Sequence, residues 1–140
     1  MNLQEKNKQF IQNYHRDMRN ALQQSKEAFW ETAHRYIVDQ KLIDHIAFFI
    51  KAFPNYNLEI EDAIAEGDKV FEKAIFIGKH EGEMNGIPAT HQEAMVPFGL
   101  CFTVRDEKIV DFWAIANEMD FLEQLGISKE QVEVRPEKFS

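Results

Sequence analysis

The sequence contains a single cysteine, Cys101, among its 140 residues. One cysteine cannot form a disulfide within the chain, and it cannot supply the ligands of a cysteine-rich zinc module. The five histidines are scattered along the chain without the His-x-x-x-His spacing that is typical of metal ligands. We therefore expect neither a disulfide nor a metal site.

Positive charge is also scarce. The chain has 16 Lys and Arg residues against 24 Asp and Glu residues, which gives a formal net charge of −8 and a pI near 5.1. A nucleic-acid-binding protein needs a basic face to contact phosphates. The charge balance therefore argues against a nucleic-acid partner.

Long hydrophobic runs are missing as well. An unbroken apolar run such as Ile46–Ile50 is far too short to span a bilayer. The residues that follow Met1 lack the apolar core of a secretory signal. We expect no membrane partner and a cytoplasmic location.

Phenylalanine, in contrast, is abundant. The chain has 12 Phe, 3 Tyr and 2 Trp residues, and 44% of its residues are hydrophobic. So many large apolar side chains argue against disorder, and a chain of this length can bury a substantial core. Because domains commonly hold about 100–200 residues, we predict one domain over residues 1–140.

Helical periodicity dominates the first half of the chain. No glycine or proline occurs from Asn2 to Gln24, and apolar residues recur there every three or four positions. Ser25 is a suitable N-cap for a second helix, although a single helix through Ser25 is the alternative. Asp44 predicts the start of a third helix, which Pro54 ends.

Alternation with a period of two replaces this pattern in the second half. Residues 58–64 and 70–78 flank a tight turn, and residues 94–104 and 109–116 flank a charged turn, so two antiparallel hairpins are predicted. A short helix then runs from Glu118 to a stop at Gly126. Helices followed by long hairpins predict an α+β fold, with the helices on one face of a curved antiparallel sheet.

Several stretches, in this order, resemble the SnoaL-like polyketide cyclases of the nuclear-transport-factor-2-like superfamily. They are Ala52–Pro54, Leu58–Asp62, Ala65–Val70, Gly78–Glu83, Gly86–Thr90, Lys108–Val110 with Trp113, and Leu122–Gly126. The resemblance implies a cone-like curved antiparallel sheet wrapped by the N-terminal helices. It also implies a homodimer formed through the sheet face.

The resemblance implies a chemistry too. The family cyclases close a polyketide ring by an intramolecular aldol reaction without a cofactor, and an aspartate in the last strand is their general acid/base. That strand reads Lys-Ile-Val-acid-His-Trp-Asp in the family, whereas here Phe112 stands at the histidine position and Ala114 at the aspartate position. Since alanine carries no titratable proton, the family mechanism cannot operate unchanged.

The last strand also predicts a binding site. Phe112, Ala114 and Ala116 share one face of this strand, whereas Asp111, Trp113 and Ile115 share the other. In the family register the first set faces the interior, which predicts an apolar pocket for a small hydrophobic organic molecule. The predicted lining residues are Tyr14, Phe98, Leu100, Phe112, Ala114 and Ala116. The alternative is that these side chains pack as a solid core.

Two residues are candidates for replacing the missing acid. His15 flanks the apolar stripe of the first helix, and histidine is the side chain that titrates near neutral pH when unperturbed. Asp62 lies among strand apolar residues, and a carboxylate pointing inward there would be a candidate base; an exposed Asp62 and a solvated His15 are the simpler interpretations. The alternative to an enzyme is a non-catalytic ligand-binding or homo-oligomeric interaction module.

Overall fold

The computed structural model describes residues 1–128 and residue 130. Within them the chain forms four helices and a curved four-stranded antiparallel sheet of order β1-β2-β3-β4, which confirms the predicted α+β class. The elements in chain order are α1 Leu3–Gln24, α2 Lys26–Tyr36, α3 Gln40–Ala52, β1 Asn57–Glu66, β2 Lys69–Lys79, β3 Glu93–Arg105, β4 Lys108–Ala116 and α4 Glu118–Leu125. No helix in this part of the chain is long and apolar enough to cross a membrane.

The break between the first two helices lies at Ser25, which is one of the two alternatives that the sequence left open. Ser25 has an extended backbone, and its hydroxyl oxygen accepts a hydrogen bond from the Ala28 N–H at 3.0 Å. This side chain satisfies one of the free N–H groups that every helix start presents. The last helix is capped in the same way by Asn117, and it ends at Gly126 with φ +75°.

The third helix begins earlier than predicted. It starts at Gln40, so Asp44 lies inside the helix and the predicted cap there is wrong. The start is determined by tertiary pairing, because the N–H groups of Val38 and Asp39 both donate to the Ile109 carbonyl of β4. Asp39 then caps the helix through Oδ1, which accepts the Lys41 N–H at 3.3 Å.

Strand alternation separates two faces of β4, as predicted. Phe112 and Ala114 are buried, whereas Trp113 and Ile115 are 46% and 58% exposed. On β3 the even-numbered residues from Ala94 to Val104 are all buried. The period of two therefore assigned the buried face of both strands from sequence.

The contacts group into two compact units, which are described separately. The first unit holds residues 1–43, 63–72 and 101–113, and in it α1 packs against α2. The second unit holds residues 44–62, 73–100 and the described residues from 114 onward. A cluster of phenylalanine rings fills the core of the second unit, with centroids 5.2–6.3 Å apart: Phe49, Phe53, Phe76, Phe98 and Phe121.

Candidate functional site

The first unit brings a histidine and a buried carboxylate into direct contact. His15 Nε2 on α1 lies 2.7 Å from Glu72 Oε1 on β2, although the two residues are 57 positions apart in sequence. The Glu72 side chain is 1% exposed, whereas that of His15 is 17% exposed. The pair thus joins a carboxylate held away from water to an imidazole that reaches the solvent.

Glu72 is the residue that sequence reasoning missed. On β2 the even-numbered positions are buried, and Glu72 occurs among them between Val70 and Ala74. A charged residue at a buried position of an alternating strand is unusual, since a carboxylate is rarely buried unless it is paired. A carboxylate at a buried position of an alternating strand is therefore the feature of the sequence that could have indicated Glu72.

The contact links the tautomer of His15 to the charge of Glu72. An ionised carboxylate only accepts hydrogen bonds, so with Glu72 ionised His15 Nε2 carries the proton and donates it. In the neutral ring Nδ1 then holds the lone pair, and among the described residues no group pairs with it. A buried carboxylate that orients a histidine in this way is the usual arrangement for a general base.

Aromatic rings surround the histidine within the first unit. The ring of Phe102 on β3 lies 5.8 Å from that of His15 in an edge-on arrangement, and the ring of Tyr14 lies 5.1 Å from it. Phe102 also contacts Phe112 at 5.3 Å and Tyr14 at 5.9 Å. The imidazole of His15 therefore lies beside buried aromatic rings.

A second polar pair lies next to these rings. The Tyr36 hydroxyl donates to Asp17 Oδ2 at 2.5 Å, and the Tyr36 ring packs edge-on against Tyr14 at 5.5 Å. Burial and the hydrogen bond to Asp17 raise the pKa of Tyr36, and the same hydrogen bond lowers the pKa of Asp17. This pair orders the end of α2, and Tyr36 remains a neutral hydrogen-bond donor.

The predicted pocket residues divide between the two units. Tyr14 and Phe112 lie in the first unit, where both contact Phe102. Phe98, Leu100, Ala114 and Ala116 lie in the second unit, and the first three are buried. The Phe98 ring stacks on Phe76 at 5.4 Å and contacts Phe49 at 5.8 Å. Phe98 is thus packed among other rings.

Two further carboxylates, those of Asp62 and Asp111, differ from Glu72 in their surroundings. Asp62 is exposed and shares its face of β1 with the exposed Ile60 and Ile64. Asp111, the carboxylate nearest in sequence to Ala114, accepts a hydrogen bond from Lys41 Nζ at 2.6 Å. This contact holds the pKa of Asp111 below its usual range.

The remaining histidines are not gathered into a site. Burial lowers the pKa of His45 to about 4 and also lowers the pKa of His80. His80 Nδ1 accepts the Thr90 N–H at 3.1 Å, which ties the ring to its own loop. Within residues 1–128 and 130, no group of three or more His, Cys, Asp and Glu side chains is arranged to hold a metal ion.

Solved structures share this fold. A protein from Jannaschia sp. CCS1 assigned to the SnoaL-like polyketide cyclases is 15% identical, with a TM-score of 0.77 over 91% of this chain and 96% of that one. AclR from Streptomyces galilaeus, a proposed hydroxylase, is 21% identical, with a TM-score of 0.68 over 88% and 97%. IdmH from Streptomyces antibioticus, a proposed polyketide cyclase, is 21% identical, with a TM-score of 0.59 over 81% and 99%.

Comparison by sequence assigns the family. No curated protein matches the chain. The family model described as SnoaL-like polyketide cyclase matches residues 12–125, which is most of the chain and includes both His15 and Glu72. The structural neighbours carry the nuclear-transport-factor-2-like fold of that family. The chain therefore belongs to the SnoaL-like polyketide cyclase family.

Proposed function

We propose that this protein is an acid–base catalyst that acts on a small, largely apolar organic molecule, with His15 as the proton-transfer group. By resemblance, Ala114 stands where the family cyclases carry their catalytic aspartate. The observation that supports a substitute is the contact between His15 Nε2 and the buried Glu72 Oε1 at 2.7 Å. Glu72 is a positioning residue in this proposal, because it acts through His15.

The proposed reaction is an intramolecular aldol addition. His15 Nδ1 removes a proton from a carbon next to a carbonyl group, and Glu72 stabilises the imidazolium that forms. The resulting enolate carbon bonds to a second carbonyl carbon of the same molecule, whose oxygen becomes an alkoxide. The imidazolium returns its proton to that alkoxide, so the product is an isomer of the substrate. The buried rings of Tyr14 and Phe102 beside His15 give the imidazole apolar surroundings.

The test uses an aryl poly-β-keto ester that can close a ring, with the formation of a cyclic product of unchanged mass as the readout. His15→Gln retains a donor that can reach Glu72 but cannot take up the proton, so we expect kcat to fall by roughly 100- to 10,000-fold. Asp62→Asn is the matched control, because Asp62 is exposed and plays no part in the proposed step. A folded His15→Gln protein with undiminished turnover would show that His15 is not the base.

Binding without catalysis is the second candidate. Ala114 offers no titratable group, and Phe98 is packed against Phe49 and Phe76. The missing titratable group suits a module that does not catalyse, and the packed Phe98 places any ligand elsewhere than among these rings. In that case aryl keto esters would raise the melting temperature of the protein without being converted, and His15→Gln would leave that shift unaltered.

We also propose that two copies associate through the exposed face of the sheet, as the family resemblance implies. In the first unit this face carries Ile64 (66% exposed), Trp113 (46% exposed) and the half-buried Phe71, whose ring lies 6.2 Å from that of Trp113. Exposed apolar patches of this kind commonly mark interfaces.

We expect sedimentation velocity to give a dimer, and the double variant Ile64→Asp/Trp113→Asp to give a monomer. Met119→Asp is the control, because Met119 is equally apolar and 58% exposed but lies on α4. A wild-type protein that sediments as a monomer at micromolar concentration would contradict the proposed association.

A further inference from the structure

A tight turn in the second unit carries Asn85 and Gly86 at its tip. The Met84 N–H donates to the Ile87 carbonyl at 3.0 Å, and the Ile87 N–H donates to the Met84 carbonyl at 2.9 Å. The φ angles of Asn85 and Gly86 are +50° and +87°, and two positive values in succession are typical of a type I′ turn. Asparagine followed by glycine is the pair that tolerates this turn best.

The same pair is chemically reactive. The backbone nitrogen of the residue that follows an asparagine can attack the side-chain amide carbon, which closes a cyclic imide. A side chain on the following residue hinders this approach, and glycine has none. None of the other asparagines in the chain is followed by a glycine. The sequence therefore makes Asn85 the asparagine most open to this attack.

The structure leaves the reacting groups accessible. Asn85 and Gly86 are both exposed. Among residues 1–128 and 130, no group pairs with the Gly86 N–H or with the Asn85 side-chain amide. Closing the imide needs a rotation about the Cα–C bond of Asn85, and an exposed turn closed by two hydrogen bonds can open locally at low cost. Solvent can also reach the imide once it has formed.

The residues on either side of the pair are buried. Met84 is 0% exposed and Ile87 is 6% exposed. Their side chains are anchored in the second unit, while the two residues between them lie at the surface. A change in the length of the backbone between Met84 and Ile87 would therefore strain the packing of both.

We infer that Asn85 is a site of spontaneous modification, at which asparagine is converted to aspartate and isoaspartate. The Gly86 nitrogen bonds to Asn85 Cγ, the Cγ–Nδ2 bond breaks, and Nδ2 leaves as ammonia together with the proton of the Gly86 N–H. Water then opens the imide, its hydroxyl bonding to a carbonyl carbon and its proton returning to the Gly86 nitrogen. Opening at Cγ gives aspartate, and opening at the main-chain carbonyl gives isoaspartate.

Isoaspartate is the product that alters the turn. Its main chain runs through Cβ and Cγ and is longer than that of asparagine by a methylene group. The paired hydrogen bonds between Met84 and Ile87 then lose their geometry, so we expect isoaspartate to lower the melting temperature by a few degrees. Aspartate tolerates the positive φ of Asn85 and should change the melting temperature little. Neither product depends on the acid–base chemistry proposed for His15.

The test is ageing of the purified protein for several days at mildly alkaline pH, followed by peptide mass spectrometry that separates aspartate from isoaspartate. Asn20 is the internal reference, because it is also exposed but is followed by Ala21. We expect Asn85 to lose its amide at least about tenfold faster than Asn20, since a small difference in barrier height produces that factor. Melting of the isoaspartate-containing fraction, isolated by ion exchange, measures the effect on the turn.

Two variants make the test decisive. Gly86→Asn places a Cβ in open space and keeps a residue that tolerates positive φ, so it should slow the reaction at Asn85 about tenfold. Asn85→Gly removes the amide and suits the same turn, so this protein should melt alike before and after ageing. The inference fails if Asn85 reacts no faster than Asn20, if Gly86→Asn reacts as fast as the wild type, or if the isoaspartate fraction melts with the fresh protein.

Discussion

Replacing His15 with leucine is expected to lower the free energy of unfolding by about 2–3 kcal/mol at neutral pH. Glu72 is 1% exposed, and its Oε1 receives the hydrogen bond from His15 Nε2 at 2.7 Å. Without the imidazole the carboxylate stays buried without its hydrogen-bond donor. Urea unfolding followed by circular dichroism measures the loss.

The double variant His15→Leu/Glu72→Leu separates this cause from a simple packing defect. Because it removes the buried charge together with its partner, we expect it to regain most of the lost stability. His34→Leu is the control on an exposed histidine of α2 and should change the free energy of unfolding by less than about 0.5 kcal/mol. If the double variant is as unstable as His15→Leu, the buried charge is not the cause.

The substitution Gly82→Ala is expected to destabilise the second unit by about 3 kcal/mol. A Cβ at this position would lie 2.0 Å from the Lys51 carbonyl oxygen, and both are backbone-anchored atoms that cannot turn aside. The loop would have to withdraw from the end of α3. It would then lose the hydrogen bonds that the N–H groups of Glu81 and Gly82 donate to the Ala52 carbonyl, at 3.0 and 3.1 Å.

Thermal unfolding of Gly82→Ala should show a melting temperature lowered by several degrees. Gly67→Asn is the matched control. Gly67 has φ +59° with open space at its Cβ position, and asparagine tolerates that backbone conformation. We expect this control to melt close to the wild type. A Gly82→Ala protein that melts with the control would mean that the loop adjusts without cost.

Local rules were sufficient for much of the fold. The hydroxyl of Ser25 caps the second helix at the position that the sequence offered, because capping uses only atoms within three residues. Alternation assigned the buried and exposed faces of β4, because side chains of a strand point to opposite sides in turn. Each of these features depends on neighbours along the chain.

The sequence predicted one of the two residues of the candidate site. The sequence predicted His15 as a candidate because it is a titratable residue beside an apolar stripe, but Glu72 of β2 was not predicted. The pattern held the information, since Glu72 occupies a buried position of an alternating strand. Its partner could not be named from sequence, because no periodicity links α1 to β2.

By itself, then, the sequence determined most of the helices and strands, the two faces of β4 and, by resemblance, the family. Only the tertiary structure decided where α3 begins, that His15 meets Glu72, and that Asn7 meets the turn at Gly67. The physical reason is the range of the interactions. Caps and alternation act over a few residues, whereas these contacts join atoms that come together only when distant segments pack against each other.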